Sequence, residues 1–214
     1  ADGVPFLMHD AELARTTNAA AKLGAGRGAL SDLGGDHAWR ELSQLDAGSW
    51  HSPDFAGESL PTLEAIARYC IANGYFLNIE IKPTPGTERP TGEAVARHAA
   101  RLWQGIATPP LLTSFDIPAL EGALAAQPEL PLGLLLDDLE GKPFAHWVAQ
   151  AKALQCVAMV LNHTLWNQET VQQAKAAGLE TSSYTVNGAA EADRLIALGT
   201  DAVITDRVDL FAPD

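Results

Sequence analysis

Residues 157–186, VAMVLNHTLWNQETVQQAKAAGLETSSYTV, contain the unit from which the architecture is inferred. A short apolar run over 157–161 ends in polar residues and is followed by 169–177, where apolar side chains recur at helical spacing. Gly178 is expected to end this helix, because glycine accepts the left-handed conformation that follows a last helical turn. A second strand-like run, 181–186, comes next. Two strands joined by a helix pair in parallel, since the helix carries the chain back across the sheet.

The same unit recurs through most of the chain. The strand-like runs are residues 76–81, 111–113, 132–136, 157–161, 181–186 and 202–204, and an earlier one is expected at 4–8. The helix-like segments are residues 60–73, 91–104, 118–126, 144–154, 169–177 and 189–198. This pattern predicts an α/β fold and favours a TIM (β/α)8 barrel over an open doubly wound sheet. Such barrels usually have ~250 residues, so we expect the first strand and its helix to be absent from this sequence.

Residues 17–59 interrupt this rhythm with seven glycines. Loops longer than ~15 residues in compact domains are usually functional or disordered. We therefore expect a single barrel domain over residues 1–214, with 17–59 as a loop-rich insertion that covers the barrel mouth. The glycine-rich segment from Gly24 to Gly28 is not followed by a helix of the nucleotide-binding kind, so it predicts no nucleotide site.

Composition excludes several classes of protein. With 47% hydrophobic residues the 214-residue chain can bury a core, so it is not intrinsically disordered. No apolar run reaches the ~20 residues of a membrane helix. A net charge of -13 argues against a nucleic-acid partner, which needs a basic face on the protein. An anionic substrate would need a local cation: lysine or arginine side chains, a metal ion or helix N-termini.

The two cysteines, Cys70 and Cys156, lie far apart in the sequence. They fit buried free thiols better than a zinc site, which needs four close ligands. Free thiols favour a reducing compartment, so we expect a cytoplasmic protein.

Residues 78–82, NIEIK, are the most informative candidate for a functional site. The period of two along a strand places Asn78, Glu80 and Lys82 on one side and the isoleucines on the other. In a barrel, chemistry is found at the carboxyl ends of the strands. A carboxylate with a lysine two residues later suits a metal ion and an anionic oxygen, so we predict Glu80 as a metal ligand and Lys82 as a phosphate contact. The alternative is a plain Glu–Lys pair that lines a barrel.

His9 and Tyr184 are the other candidates. His9 follows the strand-like run 4–8, and histidine can protonate a leaving alkoxide near neutral pH, so His9 is the candidate general acid. A capping or surface histidine is the alternative. Tyr184 ends the run that starts at Thr181 and could form an aromatic wall for a ligand, or could be a packed tyrosine with a bonded hydroxyl. His163 lies at another strand end and stays unassigned.

Several stretches together resemble the glycerophosphodiester phosphodiesterase family, in particular its bacterial cytosolic members. They occur in the family's order and span the chain: DGVPFLMHD, LARTTN, LSQLDAGSW, LPTLEAI, LNIEIKPTPGT, PPLLTSFDIPALE, PELPLGLLLDD, YTVN and GTDAVITD. The resemblance implies a TIM barrel that hydrolyses glycerophosphodiesters to glycerol 3-phosphate and an alcohol, with a divalent cation, Mg²⁺ or Ca²⁺. It also implies a role in glycerol and lipid metabolism and a small-molecule substrate as the partner.

The resemblance assigns the same residues to roles. His9 resembles the family's second catalytic histidine, Glu80 its third carboxylate ligand of the metal, and Lys82 a phosphate-contacting lysine. Tyr184 falls where the family commonly has an aromatic residue near the substrate. The insertion 17–59 resembles the family's small cap-like domain.

This sequence also departs from the family pattern. The family begins with a strand ending in a His-Arg pair, a helix with Glu-Asn-Thr and a strand with Glu-x-Asp, and none of these precedes Asp2. We expect residues absent from this sequence to supply them. Two alternatives stay open: a non-catalytic barrel or inactive fragment that binds a phosphorylated ligand, and a sugar-phosphate isomerase or aldolase with Lys82 as Schiff base.

Overall fold

A single parallel β-sheet organises the protein. The computed structural model describes residues 2–24 and 32–211. Its strands are β1 (Asn78–Glu80), β2 (Leu111–Ser114), β3 (Leu132–Leu136), β4 (Ala158–Asn162), β5 (Glu180–Tyr184) and β6 (Ala202–Val203). Each strand pairs in parallel with the next one along the chain, from β1 to β6. The order never reverses, so the sheet is not doubly wound.

Helices connect the strands, as the sequence predicts. Helices α1 (Ala19–Lys22), α2 (Trp39–Leu42) and α3 (Leu63–Asn73) precede β1. The helices that join successive strands are α4 (Glu88–Leu102), α5 (Ile117–Ala126), α6 (Phe144–Ala153), α7 (Gln168–Ala176) and α8 (Ala189–Leu198). Helix α7 starts where the Asn167 side chain accepts hydrogen bonds from the backbone N–H groups of Glu169 and Thr170. Its end is marked by Gly178 at φ +73°, which confirms the expected glycine stop.

The main core lies between this sheet and its helices. Strand β4 is apolar on both faces and its Met159 and Leu161 have no exposed surface, as expected where helices cover a parallel sheet. Helices α4 and α5 approach closely because Gly92 has no side chain. A Cβ atom there would lie 1.9 Å from the carbonyl oxygen of Ala119.

The prediction of a strand at residues 4–8 is wrong. Phe6 forms only an isolated antiparallel bridge with Thr62, and the backbone bonds run from Leu7 N–H to Pro61 O and from Leu63 N–H to Pro5 O. The segment therefore pairs with the chain just before α3 and not with the sheet. Pro5 has no N–H to donate to a ladder, so a regular strand is unfavourable there.

Residues 2–24 and 32–62 form a separate, loop-rich region, which we call the N-terminal region. Its short helices, α1 and α2, surround a small apolar cluster of buried side chains: Leu13, Ala19, Leu42, Leu45 and Leu60. The predicted insertion 17–59 lies mostly here, while its residues 25–31, which include Gly26 and Gly28, lie outside the described residues. The domain boundaries stay a prediction.

Both cysteines are buried and unpaired, as expected. Burial raises the pKa of the Cys156 thiol to about 12, so this thiol stays protonated and unreactive near neutral pH. Within residues 2–24 and 32–211, no helix is both long enough and apolar enough to cross a bilayer.

Candidate active site

Along strand β1, side chains that pack on the main core alternate with exposed polar side chains. Ile81 is buried and Ile79 packs against the main core. Asn78 and Glu80, on the alternate positions, are exposed to the cavity. The predicted division of NIEIK into an apolar and a polar side is therefore confirmed.

This cavity brings three of the predicted site residues together. It has a volume of about 690 Å³, and His9, Asp10, Glu80 and Lys82 are among its lining residues. The Lys82 ammonium donates a hydrogen bond to the backbone carbonyl of His9, with Nζ···O 2.6 Å. A lysine that follows β1 thus holds a residue of the N-terminal region beside the strand end.

Lys82 keeps its positive charge available in this cavity. Its side chain is exposed, and no carboxylate among the described residues forms an ion pair with it. An ammonium has three N–H donors, so two remain after the bond to the His9 carbonyl. Such a group can contact an oxyanion, whereas the alternative of a plain Glu80–Lys82 ion pair does not occur here.

The imidazole of His9 contacts the neighbouring carboxylate. Its Nδ1 lies 2.9 Å from Oδ1 of Asp10, and the guanidinium of Arg15 donates from Nη2 to the same oxygen at 2.9 Å and from Nε to Oδ2. The Arg15 guanidinium, and secondarily the His9 ring, hold the pKa of the Asp10 carboxyl well below its usual range. Asp10 and Arg15 lie in the segments DGVPFLMHD and LARTTN, but no pattern in the sequence predicts a role for either.

The Glu80 side chain has no hydrogen bond or ion pair within residues 2–24 and 32–211. Its carboxylate is exposed to the cavity and can accept a cation. The same part of the chain contains no group of three or more His, Cys, Asp or Glu side chains placed to hold a metal ion. Ca²⁺ and Mg²⁺ need six or more oxygen ligands. Glu80 thus fits as one ligand, and the described residues do not complete a metal site by themselves.

Tyr184 lies at the same end of the sheet but outside this cavity. Its hydroxyl donates to the carbonyl of Leu136 at 2.9 Å and lies 3.3 Å from Oδ1 of Asp137. The ring packs edge-on against Phe115, with centroids 5.9 Å apart. Burial first, then the charges of Asp137 and Glu80, raise the pKa of the Tyr184 hydroxyl. Glu80 ends β1 and Tyr184 ends β5, so both residues lie at the carboxyl edge of the parallel sheet.

His163, which the sequence left unassigned, belongs to a structural network. Its Nδ1 lies 2.6 Å from Oε1 of Glu191, and Arg194 binds both Glu191 and the carbonyl of His163. These contacts tie the end of β4 to the first turns of α8. Arg194, and secondarily His163, lower the pKa of the Glu191 carboxyl to about 2.

The fold and the site define an α/β protein whose polar side chains gather at the carboxyl ends of a parallel sheet, where enzymes of this architecture have their active sites. More particularly, the chain belongs to the glycerophosphoryl diester phosphodiesterase family, whose model matches residues 1–210. This confirms the resemblance and the class of enzyme inferred from the sequence.

Known proteins similar to this chain agree with that membership. Glycerophosphodiester phosphodiesterases of Bacillus subtilis and Caldanaerobacter subterraneus are each 28% identical to it. Their alignments cover 98% and 96% of this chain and 71% and 77% of the relatives. A phosphodiesterase structure from Oleispira antarctica, solved with the product sn-glycerol-3-phosphate, is 30% identical with a TM-score of 0.79, over 95% of this chain and 76% of that one.

Proposed function

We propose that this protein hydrolyses glycerophosphodiesters to glycerol 3-phosphate and an alcohol, at the cavity that contains His9, Glu80 and Lys82. The observation that carries the proposal is the hydrogen bond from the Lys82 ammonium to the His9 carbonyl beside Glu80. The His9 imidazole, the Lys82 ammonium and the Glu80 carboxylate thus share one cavity of about 690 Å³, a volume that supports the binding of a small phosphodiester. The family membership, and the product bound in the Oleispira antarctica relative, support the same substrate class.

His9 and Lys82 have distinct roles in this reaction. The oxygen of a water molecule bonds to phosphorus as the bond between phosphorus and the alcohol oxygen breaks, and the leaving alkoxide takes a proton from His9. The attacking water releases a proton to solvent, and solvent returns a proton to His9. Lys82 contacts a phosphoryl oxygen and offsets its negative charge. Tyr184, with Phe115 beside it, forms an aromatic wall near the strand ends.

A divalent cation, Mg²⁺ or Ca²⁺, is part of the proposal, with Glu80 as its ligand from β1. When bound, such a cation supplies positive charge to the phosphoryl oxygens. Because residues 2–24 and 32–211 do not complete a metal site by themselves, no step is assigned through the cation. We also place the activity in the cytoplasm and in glycerol and lipid metabolism.

We also propose that the parallel sheet is part of a (β/α)8 barrel, in which a further parallel strand pairs with β1. The cavity is lined by residues from both faces of this strand, Ile79 as well as Glu80, so it follows the strand's edge. Phe76, just before β1, is 82% exposed, which leaves a large apolar ring for another element to cover.

Hydrogen exchange tests this barrel. Ile81 N–H and Leu77 C=O bond to β2, so the N–H groups of Asn78 and Glu80 face the opposite edge of β1. Slow exchange of these two amides in the intact protein supports a further strand. Exchange as fast as in an unpaired loop contradicts it.

The proposed activity is tested by the hydrolysis of glycerophosphocholine by wild type, His9→Ala and Glu80→Gln, with and without EDTA. We expect His9→Ala to lower kcat about 100-fold or more, since general acid catalysis contributes about that much. Glu80→Gln and EDTA should each lower the rate, and excess Mg²⁺ or Ca²⁺ should reverse only the EDTA effect.

Two matched variants serve as controls: His98→Ala on α4 and Glu129→Gln, whose carboxylate lies before β3. Both should keep the wild-type rate. Unchanged rates for His9→Ala and Glu80→Gln, and in EDTA, would contradict the proposal. A wild type that binds glycerol 3-phosphate but hydrolyses no diester would instead support a non-catalytic binding protein.

A further inference from the structure

The His9 side chain is held by a single contact. Its ring is 87% exposed, so packing does little to fix its orientation. Within residues 2–24 and 32–211, the only group bonded to the ring is the Asp10 carboxylate, at 2.9 Å. Whatever fixes Asp10 therefore fixes the ring.

Arg15 fixes Asp10 through a forked ion pair. The guanidinium donates from Nε and Nη2 to the two carboxylate oxygens, and only 22% of the Asp10 side chain is exposed. A forked pair of this kind defines the plane of the carboxylate as well as its position, which a single bond does not.

Arg15 is in turn covered by an aromatic ring of the N-terminal region. The centre of its guanidinium lies 5.2 Å from the Trp50 ring centroid, and the Trp50 indole N–H donates to the carbonyl of Ala47. The surrounding loop is organised by Asp46, which accepts hydrogen bonds from the backbone N–H groups of Gly48, Ser49 and Gly57. A continuous series of contacts thus runs from this loop to His9.

We propose that Asp10 and Arg15 are positioning residues that hold the His9 ring in one tautomer and orientation, and that Trp50 holds Arg15 in place for this purpose. The inference rests on the proposed function of His9 as proton donor. In this arrangement the loop around Asp46 helps to set the orientation of the His9 ring toward the substrate.

The tautomer follows from the chemistry of the contact. The pKa of Asp10 is held well below its usual range, so its carboxylate is ionised near neutral pH and can only accept hydrogen bonds. Nδ1 of His9 must then carry the hydrogen, and Nε2 is the nitrogen available for proton transfer to the leaving oxygen. The charged groups that face this dyad are Arg15 at Asp10 and the Lys82 ammonium at the His9 carbonyl.

Leaving-group dependence distinguishes positioning from a general structural role. Choline leaves as an alkoxide that needs a proton, whereas 4-nitrophenolate leaves without one. Asp10→Asn and Arg15→Gln should lower kcat/KM about 10-fold or more on glycerophosphocholine and about 3-fold or less on glycerol 4-nitrophenyl phosphate. Equal losses on the two substrates, or no loss on either, would overturn the inference.

The matched control is Arg97→Gln. Arg97 also forms an ion pair, with Glu93 on α4, and its exposed fraction of 60% is close to the 56% of Arg15. Arg97→Gln should change neither rate. Trp50→Leu should also lower kcat/KM on glycerophosphocholine, but by less than Arg15→Gln, because the ion pair of Arg15 with Asp10 stays in place. Trp50→Phe, which keeps an aromatic ring, should retain most of the wild-type kcat/KM.

A ¹⁵N NMR measurement of the His9 ring tests the positioning without any turnover. In wild type and Arg97→Gln the neutral ring should carry its hydrogen on Nδ1, and in Asp10→Ala, which removes the accepting carboxylate, this preference should be lost. A wild-type ring with the hydrogen on Nε2, or an unchanged tautomer in Asp10→Ala, overturns the inference. Absence of hydrolysis by wild type would overturn the proposed function alone, because the tautomer is measured independently.

Discussion

Two regions of this protein carry the candidate site, and they are stabilised in different ways. The sheet region, residues 78–203, surrounds a continuous apolar core of 24 buried residues, including Leu134, Met159 and Leu161. The N-terminal region surrounds a cluster of five and is otherwise held by carboxylates, chiefly Asp10 and Asp46. Glu80 and Lys82 belong to the first region and His9 to the second, so the site joins a rigid frame to a polar loop.

Truncation of one leucine in each region tests this difference most directly. Leu161→Ala removes a side chain with no exposed surface from the large core, and we expect it to lower the free energy of unfolding by about 4 kcal/mol. Leu45→Ala, which is also buried, should cost about 2 kcal/mol, because fewer neighbours surround the cavity left in the small cluster. Urea unfolding of both variants measures these values. Equal costs would mean that the N-terminal region is not the weaker one.

The same difference decides what the sequence could predict. Strand β3 and helix α8 have the predicted bounds. Their apolar patterns follow directly from burial in the main core, so the local sequence is enough to predict them. The run at residues 4–8 is apolar throughout, much like β3, yet it pairs through Phe6 with Thr62. No local pattern identifies a partner that far along the chain.

The candidate site shows the same limit. The position of Glu80 and Lys82 at a strand end could be expected, because active sites of this architecture lie at the carboxyl ends of the parallel strands. The position of His9 beside them could not be expected for that reason, because the segment before it pairs with residues 61–63 and not with the sheet. The contacts of Arg15 with Asp10 and Trp50 could not, because the path of an aperiodic loop brings residues 15 and 50 together. Sequence patterns thus predict the frame of the site better than the groups that orient its side chains.

Acid should loosen the N-terminal region before the sheet region. Hydrogen bonds from the Ser49 side chain and from the backbone N–H groups of Ser49, Gly48 and Gly57 hold the pKa of Asp46 well below its usual range. A lowered folded-state pKa stabilises the fold above the unfolded pKa of about 4 and ceases to do so as the pH falls through the folded value.

Asp46→Asn is the variant that isolates this effect. The amides of Gly48 and Gly57 should exchange faster in the variant than in wild type near pH 6. The difference should shrink as the pH falls from about 4 toward the lower folded-state pKa of Asp46, because protonation then favours the opened loop of the wild type. Exchange at Leu161, in the sheet region, serves as the control and should be the same in both proteins. A pH-independent difference between the two proteins would contradict the electrostatic explanation.

The smallest expected effect concerns ion pairs on the surface of the sheet region. Nη2 of Arg89 on α4 lies 2.6 Å from Oε2 of Glu121 on α5, and the two side chains are 51% and 45% exposed. Exposed pairs contribute about 0 to 1 kcal/mol and are screened by salt, so Arg89→Gln should lower the Tm by about 2 °C or less. Thermal unfolding at low and high salt measures this. A loss as large as that of Leu161→Ala would show that charges, and not apolar burial, hold the helices against each other, and the contrast between the two regions would disappear.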